Sequence, residues 1–126
     1  MSFADAAGPV LVVDDDEDIR ESIGQVLEDL QREFLTARNG LDALIVARRT
    51  VPAPRLILLD LTMPVMSGWQ FLEERQKDGA LARIPVVVMT AAADSSINPV
   101  NVSAVLRKPL AYEELLQAIN LDGGGN

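Results

Sequence analysis

Apolar residues along this chain fall into short dense runs separated by stretches where they recur at helical spacing. "VLVV" (10–13), "LILL" (56–59) and "VVV" (86–88) are unbroken and mostly β-branched or leucine. Strands covered on both faces read this way, without the alternation of a half-exposed sheet. Two weaker segments, "EFLTA" (33–37) and "AVLR" (104–107), complete a set of five predicted strands.

The intervening stretches carry helical stripes. Ile19, Ile23, Val26, Leu27 and Leu30 share one face of a first helix. Asn39 is placed to cap a second, whose stripe reads as Leu41, Leu44 and Ile45. Ser67 is placed to cap a third, with Trp69, Phe71 and Leu72; core packing is the reading for Trp69. A last helix holds Leu115, Leu116 and Ile119 and is closed by "DGGG". Strand and helix thus alternate about five times. That order predicts an α/β fold: a doubly wound five-stranded parallel sheet with helices on both faces. Ligands in such sheets collect beyond the carboxyl ends of the strands.

Those ends carry the chemistry. The first strand runs into Asp14, Asp15 and Asp16, the third into Asp60, the fourth into Thr90 and the fifth into Lys108. Taken singly, each has an ordinary reading. An aspartate at a strand-to-helix junction is more often a cap, a strand-end threonine a plain hydroxyl, a lysine a solvated charge. Asp16 and Asp18 fit that description, and Glu17 reads as solvated. Taken together on one rim, the group looks different. Two like charges 4 Å apart repel by about 1 kcal/mol in water and about 4 at an effective dielectric of 20. A carboxylate trio there favours a bound divalent cation of the Mg²⁺ type, and one acid is left to act as a nucleophile toward phosphorus. Lys108 would neutralise phosphoryl oxygens as a point charge, and the Thr90 hydroxyl could donate to another.

Composition narrows the field. The 126 residues are enough for one core, and hydrophobic content is 48%. The net charge of -8 disfavours a nucleic acid as direct partner. With neither Cys nor His, thiolate chemistry, a Ser-His pair and a soft zinc site are excluded. The beginning of the chain lacks the features of a targeting segment, and no apolar run reaches membrane-spanning length, so the expectation is a cytoplasmic protein.

"VLVVDDDEDIR", "LILLDLTMPVMSGWQFL", "PVVVMTA" and "AVLRKPL" together resemble the receiver domain of bacterial two-component response regulators, over roughly Pro9 to Asn120. The resemblance implies the flavodoxin-like form of the predicted fold. It implies one receiver domain over 1–126, with a core of about 9–120 and flexible ends at 1–8 and 121–126. It implies that Asp60 accepts a phosphoryl group from a histidine kinase or phosphotransfer protein. Asp15, Asp14 and Asp60, with the backbone carbonyl of Thr62, would hold Mg²⁺ (or Mn²⁺). Thr90 and Lys108 would contact the phosphoryl oxygens, and the Lys108–Pro109 bond would be cis. Met63, Pro64 and Gly68 would shape the loop after Asp60, though Gly68 could serve only to ease a helix start. Such a module is a signalling switch rather than an enzyme, acting at most on its own phosphorylation and dephosphorylation. Its output partner or attached domain is left open.

Two features depart from the family pattern. Receivers usually carry Tyr or Phe where the fifth strand here has Val105, and Tyr112 lies beyond the lysine. Thr90 and Lys108 are 18 positions apart, about one helical turn fewer than the pattern, and Asn98-Pro99 interrupts the segment between them. The helix expected there, fourth in the repeat, is therefore read as short, irregular or replaced by a loop. Two other functions stay in view. One is a receiver-like interaction module that is not phosphorylated. The other is a Mg²⁺-dependent phosphohydrolase; the absence of a second acid after Asp60 and of a substrate-enclosing cap counts against it.

Overall fold

The computed structural model describes residues 8–91 and 102–120. Five strands, β1 (Val10–Val13), β2 (Phe34–Ala37), β3 (Leu56–Asp60), β4 (Val86–Thr90) and β5 (Ala104–Arg107), form one parallel sheet in the order β2-β1-β3-β4-β5. Four α-helices are described, α1 (Glu17–Asp29), α2 (Gly40–Arg49), α3 (Gly68–Lys77) and α4 (Tyr112–Ile119), with a short 3-10 helix at Leu81–Arg83. The expectation of a short or irregular helix between β4 and β5 falls mostly on 92–101, outside the described residues. So do the ends at 1–7 and 121–126, and with them "DGGG".

Every residue of β1, β3 and β4 is buried, which explains the unbroken apolar runs. Alternation along these strands feeds two cores. Leu11, Val13, Ile57, Leu59, Val86 and Val88 face one layer with α2 and α3 residues such as Leu44 and Phe71. Val10, Val12, Leu56, Leu58, Val87 and Met89 face the other, with Ile23 and Leu27 of α1 and Leu115 and Ile119 of α4. The helices therefore cover both faces, as the strand–helix order requires.

The predicted caps are in place. Asp16 caps α1, accepting from the amides of Asp18 and Ile19, and Asn39 caps α2, accepting from the Asp42 amide at 2.8 Å. Ser67 and Gln70 form a reciprocal capping box on α3. The α2 stripe needs correction. Its buried face is Gly40, Ala43, Leu44 and Ala47, while Leu41 and Ile45 are exposed. At Gly40 the approach is too close for a side chain, since a Cβ there would stand 2.7 Å from Met66 Cγ. Trp69 is corrected too: it sits on the outer side of α3, 41% exposed, and Phe71 fills the core instead. Leu30 is the C-cap of α1 and is exposed rather than part of the buried stripe. The Lys108–Pro109 bond is cis, as is Val51–Pro52.

A candidate phosphoacceptor and metal site

Parallel pairing sets the site. β1 lies beside β3, with Val13 opposite Leu59, so Asp14 and Asp60 leave the sheet at the same level. β4 lies beside β3 with Met89 opposite Asp60, and the Leu61 amide donates to the Met89 carbonyl at 3.3 Å. β5 pairs with β4, and the Lys108 amide donates to the Thr90 carbonyl at 2.9 Å. Four strand ends thus deliver their side chains to one rim.

The three consecutive aspartates take three different roles. Asp14 is fully buried and Asp15 is exposed. Asp16 is the exposed helix cap. Oxygens of Asp14, Asp15 and Asp60 all lie within 4.8 Å of one another. Lys108 reaches into this group. Its ammonium donates to Asp14 Oδ2 at 2.8 Å and stands 3.5 Å from Asp60 Oδ1. Asp14 also accepts the Asp16 amide at 2.9 Å through Oδ1. The Thr62 amide approaches Asp60 Oδ1 at 3.4 Å.

Asp60 feels the crowding most. Burial first, then the charge of Asp14, push its carboxyl up from 3.8 to about 6; Asp15 adds to this, while Lys108 and the Thr62 amide pull it back. Lys108 shows the converse. Desolvation works against its charge, but the hydrogen bond and attraction of Asp14, helped by Asp60, outweigh it and hold the ammonium above its ordinary range. One lysine is shared by two carboxylates, and a third carboxylate has no share in it. The set is oxygen-rich, anionic and open on the Asp15 side, and a hard divalent cation fits such donors. The Asp60 carboxylate, desolvated yet incompletely neutralised, suits nucleophilic attack at an electrophilic phosphorus.

Of the residues expected at the site, Asp14, Asp15, Asp60 and Lys108 are brought together. Thr90 is buried at the neighbouring strand end, and Thr62 is exposed just past Asp60. Gly68 does more than start a helix. A Cβ there would stand 2.3 Å from the Asp60 carbonyl oxygen and 2.8 Å from Leu61 Cα, and its amide donates to the Leu61 carbonyl at 3.0 Å. α3 is thereby pressed against the end of β3. Arg20 joins the site without a role assigned by any sequence motif: its Nη1 donates to the Asp14 carbonyl at 2.7 Å, fixing the backbone of the acidic turn from one turn into α1. Its only sequence signal is a cation close behind the acids.

Comparison with known proteins agrees with this geometry. A family model described as "Response regulator receiver domain" matches residues 10–120. "Protein PilH" of Pseudomonas aeruginosa is 31% identical over 116 residues, which cover 88% of this chain and 93% of PilH. The "Probable transcriptional regulator ycf27" of Porphyra purpurea is 34% identical over 85 residues, but this chain spans only 33% of its length. Among solved structures, the chemotaxis response regulator CheY4 of Vibrio cholerae matches with a TM-score of 0.81 and 28% identity, covering 92% of this chain and 98% of that one. TrrA of Thermotoga maritima, solved in complex with Mg(2+)-BeF, matches with a TM-score of 0.78 and 27% identity over 91% of this chain and 98% of TrrA.

Proposed function

The chain belongs to the response regulator receiver family, phospho-accepting modules of two-component signalling, and from that premise we propose that Asp60 is the residue that takes the phosphoryl group. One observation carries the assignment. Asp60 lies at the meeting point of the carboxylates of β1 and β3 with the ammonium of Lys108. The donor is read as a histidine kinase or a phosphotransfer protein. A carboxylate oxygen of Asp60 forms the new bond to phosphorus, and the bond from phosphorus to the donor breaks. The electron pair of that bond leaves with the donor. Nothing is oxidised or reduced.

Asp14, Asp15 and Asp60, with the main-chain carbonyl of Thr62, would hold Mg²⁺ or Mn²⁺. Bound there, the ion supplies positive charge to the phosphoryl oxygens. The support is the donor set itself: three mutually close carboxylates on the rim where Lys108 also stands. Lys108 supplies a second positive charge to a phosphoryl oxygen while Asp14 keeps it oriented. Thr90 is read as the hydroxyl that reaches the phosphoryl group once Asp60 is modified. Arg20 and Gly68 hold the two acidic turns in register. We read residues 9–120 as one receiver domain acting in the cytoplasm. Among the described residues, no helix is long and apolar enough to cross a membrane. Its output is a change in a protein–protein surface, on a partner or an attached domain.

The test is intact mass measured after incubation with acetyl phosphate. The chain should gain one phosphoryl group in the presence of Mg²⁺ or Mn²⁺, and Asp60→Asn should gain none. No gain, or a gain that survives the substitution, overturns the assignment and revives a module that works without phosphorylation.

A further inference from the structure

The segment joining β3 to α3 is tied at three points. At its start the Thr62 amide faces Asp60 Oδ1 at 3.4 Å. At its end the Gly68 amide donates to the Leu61 carbonyl at 3.0 Å. Between them, the Met66 carbonyl accepts the amide of Gly40, the first residue of α2, at 2.8 Å. That last contact leaves no slack: a Cβ on Gly40 would stand 2.7 Å from Met66 Cγ and 2.8 Å from the Met66 carbonyl oxygen. The Met66 side chain is half-buried against the core beneath α2 and α3.

Val65 precedes Met66 and is held at φ 70, while the Met66 amide donates to the Pro64 carbonyl at 2.8 Å. This is the positive-φ γ-turn, the rarer and more strained of the two kinds. A β-branched residue is poorly suited to it, because its methyl groups crowd the adjoining carbonyl. Nor does packing compensate, since Val65 is 74% exposed. Gln31 marks the contrast. It too has positive φ (58), but it is unbranched and follows a helix end, where its amide and that of Arg32 bond the Glu28 and Leu27 carbonyls.

We propose that Val65 is a strained latch that couples the modification of Asp60 to the start of α2. The inference rests on the reading of Asp60 as phosphoacceptor. In the arrangement seen here, Met66 holds Gly40 and Val65 bears the strain. In a second arrangement Val65 returns to negative φ, the Met66 carbonyl leaves Gly40, and the first turn of α2 loosens, together with the exposed Leu41 that follows. Strain at Val65 narrows the gap between the two. Modifying Asp60 turns the carboxylate into an acyl phosphate, whose carboxyl oxygens are weaker acceptors for the Thr62 amide, and so favours the released form. Because α2 lies on the other side of the site from β5, this readout does not require an aromatic residue at Val105.

The experiment follows the Thr62 and Gly40 amides by NMR shift and hydrogen exchange in the whole chain. Wild type, Val65→Gly and Val65→Ile are compared before and after adding Mg²⁺ with beryllofluoride. In wild type the Thr62 signal should move, and Gly40 exchange should quicken by about tenfold or more. Val65→Gly fits the turn without strain. Its Gly40 amide should start about tenfold slower and respond less, while Thr62 still moves. Val65→Ile keeps the branched side chain and should behave as wild type. If Thr62 moves and Gly40 does not, or if Val65→Gly and Val65→Ile respond alike, the latch is refuted and the phosphoacceptor reading stands. If Thr62 moves in none of the three, that reading falls and the latch with it.

Discussion

Replacing Asp60 by Asn should stabilise the protein at neutral pH in the absence of divalent ions. The Asp60 carboxyl is raised from 3.8 to about 6 by burial and by the charge of Asp14. A raised carboxyl means that the folded state holds this proton more tightly than the unfolded chain does. Its contribution is therefore fully present below the unfolded value and is lost as pH rises through about 6. At 1.4 kcal/mol for each tenfold change in proton affinity, ionised Asp60 costs the fold about 3 kcal/mol near neutrality. Asn removes that cost. Lys108, 3.5 Å away, and the Thr62 amide already hold the carboxyl down to that value, so their loss takes nothing further away. The net gain should be about 3 kcal/mol, or on the order of 9 to 15 °C in Tm for a chain of this size. Thermal melts with a chelator at about pH 7.5 should show the rise; at about pH 4.5 it should shrink to roughly a third, and it should vanish only below the unfolded value of 3.8. Added Mg²⁺ should raise the wild type more than the variant and narrow the difference. A rise that is absent at neutral pH, or equally large in acid, would refute the crowding of charges as its cause.

Lys108→Ala should be the converse case. It leaves the buried Asp14 carboxylate without its ammonium and should cost about 3 kcal/mol in urea unfolding, with the loss smaller once Mg²⁺ is supplied. Gly68→Ala brings a Cβ onto the Asp60 backbone. It should cost about 1–3 kcal/mol and slow phosphorylation from acetyl phosphate, because α3 and the end of β3 must move apart. Leu41→Ser and Ile45→Ser should each cost only about 1 kcal/mol, since both side chains are partly exposed; a loss of about 2 kcal/mol or more would contradict their placement.

Much of this molecule is written in local pattern. Strands with two buried faces show as unbroken runs, so β1, β3 and β4 are legible without any tertiary information. Asp16, Asn39 and Ser67 are legible because a cap's job is done within three residues. Strand ends are enough to gather Asp14, Asp15, Asp60 and Lys108, because a parallel sheet fixes where its carboxyl edge lies. What is hidden depends on neighbours far along the chain. The inward face of α2 is made by Gly40, Ala43 and Ala47 beside Leu44, so a search for large apolar residues finds Leu44 but adds the exposed Leu41 and Ile45 and misses the small residues. Arg75 of α3 carries no local mark of its role, yet it is buried and donates to the carbonyls of Ala82 and Ile84 beyond the helix end. The division of labour among Asp14, Asp15 and Asp16 depends on where Lys108 arrives from, 94 residues later than Asp14. The tie between Met66 and Gly40 has no sequence signature at all.

The most direct test of the account is to find which side chain carries the phosphoryl group. Borohydride reduction converts an aspartyl phosphate to homoserine, which peptide sequencing by mass spectrometry then locates. After treatment with acetyl phosphate and Mg²⁺, homoserine should appear at position 60 and nowhere else. Homoserine at position 14 or 15, or none at any position, would contradict the account.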